Sequence, residues 1–143
     1  MKPLFERRGE LFSPTEHCAS PWGPVTIHGG ASSGLLAWAL EAQIPAGMQL
    51  ARLTVDLYRP VPREPLGVAA RVVPEGRRLR LLEAMLYQDG REIGRASARA
   101  LATAAVAIPE HARLDTQPPA LMREALERPP VIGINAIANR VGR

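Results

Sequence analysis

His28-Gly29-Gly30 stands where a proline-punctuated segment gives way to fourteen residues, 30–43, with no proline and a single charge, Glu41. If that stretch is a helix, its first backbone N–H groups have no partner inside it, and the positive end of its dipole faces the turn. Paired glycines leave those N–H groups open to an approaching ligand. A carbonyl oxygen gaining negative charge during acyl transfer is stabilised by such donors, the oxyanion-hole arrangement. The same residues have a plainer reading, in which Gly29 and Gly30 permit a tight turn and His28 caps the helix.

The elements that would hold this turn follow from periodicity. Residues 1–27 are expected to be extended or irregular, restricted by Pro14, Pro21 and Pro24, with Leu11 and Phe12 as anchors. The sequence GASSGLLAWALEAQ predicts a helix over 30–43, closed by Pro45 to Gly47. It is apolar nearly all round, which implies burial on most faces. The period then becomes two. Residues 51–58 alternate Leu53, Val55 and Leu57 with Arg52, Thr54 and Asp56, a half-buried strand ended by Arg59-Pro60. Further strands are expected at 66–73, 77–88 and 91–103, with turns at Pro74-Glu75-Gly76 and Asp89-Gly90. Ala96, Ala98, Ala100 and Ala102 share one face of the last strand, where small side chains admit the close approach of a buried helix. One helix and a meander of antiparallel strands make an α+β plan with the sheet curved around the helix. Beyond residue 104, prolines at 109, 118, 119, 129 and 130 and one short predicted helix at 119–128 read as a tail or linker. The expected division is a domain at 1–104 and a proline-rich tail at 105–143.

Composition narrows the classes of function. At 143 residues, 46% of them hydrophobic, the chain is long enough for one core and too apolar to be disordered throughout. Seventeen arginines and one lysine against 14 acids leave a formal charge of +4. Residues 50–100 hold ten arginines and six acids, so the whole excess sits there. No dense basic run and only six aromatic residues accompany it, which argues against nucleic-acid binding. Proline, glycine and His28 interrupt the uncharged segment 18–40 well short of a membrane span. A charged N-terminus carries no signal-peptide pattern, so the cytoplasm is the expected location. The lone Cys18 provides neither an internal disulfide nor a multi-cysteine metal site.

Trp22-Gly23, His28-Gly29-Gly30, Thr54-Val55-Asp56-Leu57-Tyr58-Arg59-Pro60, Glu75-Gly76-Arg77-Arg78 and Gln88-Asp89-Gly90-Arg91, in that order, carry a resemblance across residues 10–104. The chain resembles the N-terminal half of the two-domain, thioesterase II-like acyl-CoA thioesterases of the hot-dog superfamily. The resemblance implies a hot-dog fold, with an antiparallel sheet wrapped around a long central helix, and paired hot-dog units. It implies acyl-CoA thioesters as ligands and no cofactor or metal. Trp22, His28, Ser32 and Ser33 are the expected substrate-binding residues.

The departures matter equally. In that family a helix Asp, a Ser or Thr at the start of the following strand and a last-strand Gln activate water. The matching places hold Ala37 or Trp38, Leu50 and Ala98, and Ala37 also stands where single-domain relatives place a carboxylate. If the chain hydrolyses thioesters, Gly29 and Gly30 would polarise the carbonyl and another carboxylate must activate water, coming within about 3 Å of it. Glu41 is the one carboxylate on the helix, roughly 15 Å along the axis from its start, so a dimer partner would have to supply it. Asp56 is the next candidate, although a solvated or salt-bridged role on the polar side of a strand is ordinary for it. Ser32, Ser33 and Thr54 could orient a water or simply cap and pack. Arginine's planar fork suits the coenzyme phosphates, with Arg59, Arg77, Arg78, Arg80, Arg95 and Arg99 available. The leading expectation is a homodimeric or larger hot-dog assembly that binds and hydrolyses acyl-CoA, without nucleic-acid or membrane partners. The alternative is a non-catalytic acyl-CoA-binding or structural module. A dehydratase or hydratase lacks its Asp/His pair here.

Overall fold

The computed structural model describes residues 3–73 and 76–112. Four short strands, β1 (Phe5–Arg8), β2 (Leu11–Pro14), β3 (Ala19–Ser20) and β4 (Gly23–Ile27), precede the helix α1 (Gly29–Glu41). The long strands β5 (Met48–Leu57), β6 (Leu66–Val72), β7 (Leu79–Gln88) and β8 (Arg91–Ala102) follow. Six strands make one antiparallel sheet in the order β1-β2-β6-β7-β8-β5, and β3 and β4 form a separate hairpin. Asp89 and Gly90 join β7 to β8 with φ of 47° and 72°, the left-handed pair that a two-residue hairpin turn requires.

The helix determines the sheet's inner face. Ala31, Ser32, Leu35, Leu36, Ala39 and Leu40 of α1 are buried. Opposite them stand Leu82, Ala84 and Leu86 of β7, and Ala96, Ala98 and Ala100 of β8, all buried in one core. Leu82 pairs across the strands with Ala98 and Ala84 with Ala96, so small side chains line the middle of this face and give the helix room to lie close. The expected alanine face is present, except that Ala102 at its end is exposed.

Several boundaries differ from the periodic reading. The strand expected at 51–58 begins at Met48, because a bulge between Leu50 and Arg52 resets the alternation. That extra residue lets Leu50 face the helix on one side of the bulge, and Leu53, Val55 and Leu57 face it on the other. The strand is also wetter than expected: it lies at the sheet's edge, and Leu53 and Leu57 are 37% and 36% exposed. Of the two expected anchors, Phe12 is buried, packing edge-on against Trp38, whereas Leu11 lies on the outer face and is exposed. Pro74, Glu75 and the expected helix at 119–128 lie outside the described residues. After β8, Thr103 closes on Gly47 through its backbone N–H and its hydroxyl, and 104–109 have no helix or strand.

Cys18 is fully buried, its Sγ donating to the Leu4 carbonyl at 2.9 Å. Burial pushes its thiol up from 9.0 to about 11. Between those values the unfolded chain loses a proton that the native chain keeps, so rising pH favours unfolding. Equilibrium denaturation is expected to show this contribution to stability draining away from about pH 9 toward about 11, and a Cys18→Ala variant to lack that increment. Packing gives a second prediction. Ala96→Leu overfills the helix contact and is expected to cost about 1–3 kcal/mol, whereas Ala102→Leu stays within about 0.5 kcal/mol, both read from denaturant midpoints.

Candidate active site

The turn entering α1 is held from three sides. Ile27 donates its N–H to the Val61 carbonyl at 2.9 Å, and Arg63 donates to Val25 at 2.9 Å, so β4 is stitched to the segment after β5. His28 donates its backbone N–H to the Cys18 carbonyl at 2.8 Å. Its own carbonyl accepts from Ala31 at 2.9 Å and from Ser32 at 3.3 Å. His28 is therefore the N-cap, with extended backbone (φ −63°, ψ 134°), and its Nδ1 accepts from the Gly30 N–H at 3.0 Å. The two glycines are consequently unequal. Gly30's donor is occupied by the cap, while that of Gly29 has no acceptor among the described residues.

Leu57 ties this turn to the sheet's edge. A side chain at Gly29 would meet Leu57 Cδ1 at 3.5 Å, and one at Gly94 would meet Leu57 Cδ2 at 3.0 Å and the Asp56 carbonyl at 3.2 Å. Gly94 thus lets Leu57 lie flat across β8 and reach the start of the helix. Periodicity alone gave no sign of this contact, because Leu57 reads there as one more inward-facing leucine. The carbonyls of Cys18 and Val61 were equally invisible, since backbone acceptors leave no trace in residue type.

The expected site residues divide into two groups. His28, Gly29, Gly30, Ser32 and Ser33 come together at the helix start; Ser33 is half-buried, and Ser32 is fully buried with no partner for its Oγ among the described residues. The other three lie elsewhere. Trp22 is 89% exposed in the β3–β4 turn, six extended residues and so about 20 Å of chain from His28. Glu41 ends the helix, about 18 Å from Gly29. Asp56 pairs with Arg95, and strand alternation turns its side chain to the face opposite Leu57. Nearby on that outer face, the Glu92 carboxylate accepts from Arg95 at 3.0 Å and from the Tyr58 hydroxyl at 2.8 Å. These bonds hold the Glu92 carboxyl below its ordinary range, and the same carboxylate raises the Tyr58 phenol. At the places where the family carries its water-activating set, Trp38 packs on Phe12 and Ala98 is buried in the core.

An antiparallel sheet closed over one apolar helix is the hot-dog fold. The chain belongs to the acyl-CoA thioesterase N-terminal domain family, whose model matches residues 18–105. Solved structures share the fold at low sequence identity. A Bacillus halodurans protein solved with CoA is 20% identical, over 64% of this chain and 68% of its own, with a TM-score of 0.55. A thioesterase of Thermus thermophilus, in complex with coenzyme A and zinc, is 17% identical over 82% and 95%, with a TM-score of 0.56. A candidate thioesterase II of Thermobifida fusca is 21% identical, with a TM-score of 0.54; the match covers 80% of this chain but 43% of that one. No curated protein matches. No helix among the described residues is long and apolar enough to cross a membrane.

The cap can be tested directly. His28→Ala strands the Gly30 N–H and is expected to cost about 0.5–2 kcal/mol, whereas His28→Asn, whose side-chain oxygen can accept the same bond, recovers most of that loss. Thermal unfolding of the three proteins checks it; equal losses in both variants would contradict the capping role.

Proposed function

We propose that the chain binds acyl-CoA thioesters at the His28-Gly29-Gly30 turn and, when paired with a second hot-dog unit, hydrolyses them. The free Gly29 N–H at the positive end of α1 carries this reading. It meets the thioester carbonyl and stabilises the negative charge that develops as water attacks. Gly30 keeps the approach clear while its own N–H holds His28 in place. Ser33, half-buried in the first turn, contacts the substrate, and Trp22 contributes from the hairpin tip. Membership in an acyl-CoA thioesterase family supports this substrate class, as do the relatives from Bacillus halodurans and Thermus thermophilus solved with coenzyme A.

A second unit is required on two counts. Among the described residues β5 presents a ten-residue unpaired edge, with Leu53 and Leu57 exposed beside it, and such an edge calls for cover. Homodimerisation through a two-fold axis continues the sheet across that edge. The same pairing places a partner beside Leu57 and the Gly29 turn, where Glu41 of a second copy serves as the base. Asp56 is the weaker choice, since its side chain points away from the turn. The resulting protein is a cytoplasmic homodimeric hydrolase that needs no cofactor.

Release of CoA from a panel of acyl-CoAs, measured on the full chain with a thiol reagent, tests the reading. Turnover is expected, falling by on the order of 10²-fold or more in Glu41→Ala, the range for loss of a general base. Light scattering is expected to give a dimer at micromolar concentration. Binding without CoA release would instead select the non-catalytic module, a reading favoured by the apolar Ala37, Leu50 and Ala98 at the family's catalytic positions. Absence of binding would overturn both.

A further inference from the structure

We propose that the sheet face turned away from α1 carries a separate site for a phosphate group, built by Arg52, Arg99, Thr54 and Ser97. Arg52 of β5 and Arg99 of β8 are direct cross-strand partners, as are Thr54 and Ser97 in the same stretch of the ladder. By strand alternation all four side chains project from the outer face, since the intervening Leu53 and Ala98 face the helix. They line one recess of about 330 Å³, together with Val73, Leu81 and Glu83.

Like charges directly opposite on an antiparallel pair destabilise it, and neutralising partners normally accompany them. Elsewhere on this face the partners are present. Arg71 donates to Glu83 at 2.6 and 3.1 Å, and Arg95 donates to Glu92 at 3.0 Å. Arg52 and Arg99 have no carboxylate partner among the described residues. Glu83, which also lines the recess, already accepts two bonds from Arg71. Part of the excess positive charge of residues 50–100 is thus held as a pair of facing guanidinium groups flanked by two hydroxyls. Two planar forks and two O–H groups supply the directional donors that a phosphate monoester's terminal oxygens accept. Leu81 and Val73 give the recess an apolar wall for the organic part of such a ligand.

The site stands apart from the turn. Arg52 lies five residues before Leu57, about 16 Å along the strand, and its side chain is on the opposite face of the sheet. The phosphate recess and the turn are therefore two distinct places on the molecule. Its chemistry has two possible sources, a phosphate of coenzyme A itself or a separate phosphorylated metabolite.

The test uses the full chain with inorganic phosphate and adenosine 3′,5′-bisphosphate as probes, by calorimetry at constant ionic strength. Wild type is expected to bind the bisphosphate at least tenfold more tightly than Arg52→Gln/Arg99→Gln, and several-fold more tightly than Thr54→Val/Ser97→Ala. Arg77→Gln/Arg78→Gln removes the same charge elsewhere and is expected to bind like wild type. Without ligand, Arg99→Gln should melt at or above the wild-type temperature, because a repulsion has been removed. Competition with coenzyme A then distinguishes the sources: displacement assigns the phosphate to the coenzyme, and additive binding assigns it to a second metabolite, the site standing in either case. Equal affinity in wild type and Arg52→Gln/Arg99→Gln, or an equal loss in the Arg77/Arg78 control, would overturn it.

Discussion

A helix with almost no polar face must be surrounded, and this requirement organises the whole chain. α1 has one charged residue, Glu41 at its end, so every other turn needs an apolar neighbour. A single strand pair is too narrow to cover it. Four long strands curve past it instead, and the alanines of β8 let it sink between larger side chains on β7 and β5. Burying Leu36 and Leu40 completely contributes about 1.5–3 kcal/mol each. The same burial fixes where the helix starts, because His28 enters the core region on a backbone tied to Cys18.

The cost of that architecture falls on one edge. β5 has β8 on one side and, among the described residues, no strand on the other. Leu57 lies where this edge meets the helix start, and Gly94 is the residue that lets it lie there. The chemically open N–H of Gly29 and the structurally open edge of β5 are therefore neighbours through one leucine side chain. A unit covering the edge would also lie beside the turn, which in the proposed function links assembly to ligand binding through contact rather than through any long-range effect.

Much of this was legible in residue order. The proline-free stretch marked the helix, Asp89-Gly90 marked a hairpin, and alternating alanines marked the surface on which the helix lies. The bulge after Leu50 was hidden, because an inserted residue mimics a shorter strand starting later. Edge and centre were also indistinguishable in β5: alternation reports which face is apolar, whereas neighbours decide how dry it is. At the site, residue types located the turn but could not divide the labour of its glycines. That division depends on a side-chain nitrogen of His28 reaching back 3.0 Å to one N–H and leaving the other alone. Likewise, the surplus charge was visible in composition, but only strand register shows Arg52 facing Arg99.

The central claim is that the Gly29 N–H, at the junction of helix start and sheet edge, is the donor to the ligand's carbonyl. Amide resonances of a ¹⁵N-labelled chain, followed while a non-hydrolysable acyl-CoA thioether bearing a carbonyl is added, report on it most directly. A large downfield shift of the Gly29 amide proton is predicted, with the capped Gly30 amide moving much less. A titration that leaves Gly29 unmoved while other amides shift and saturate would contradict it.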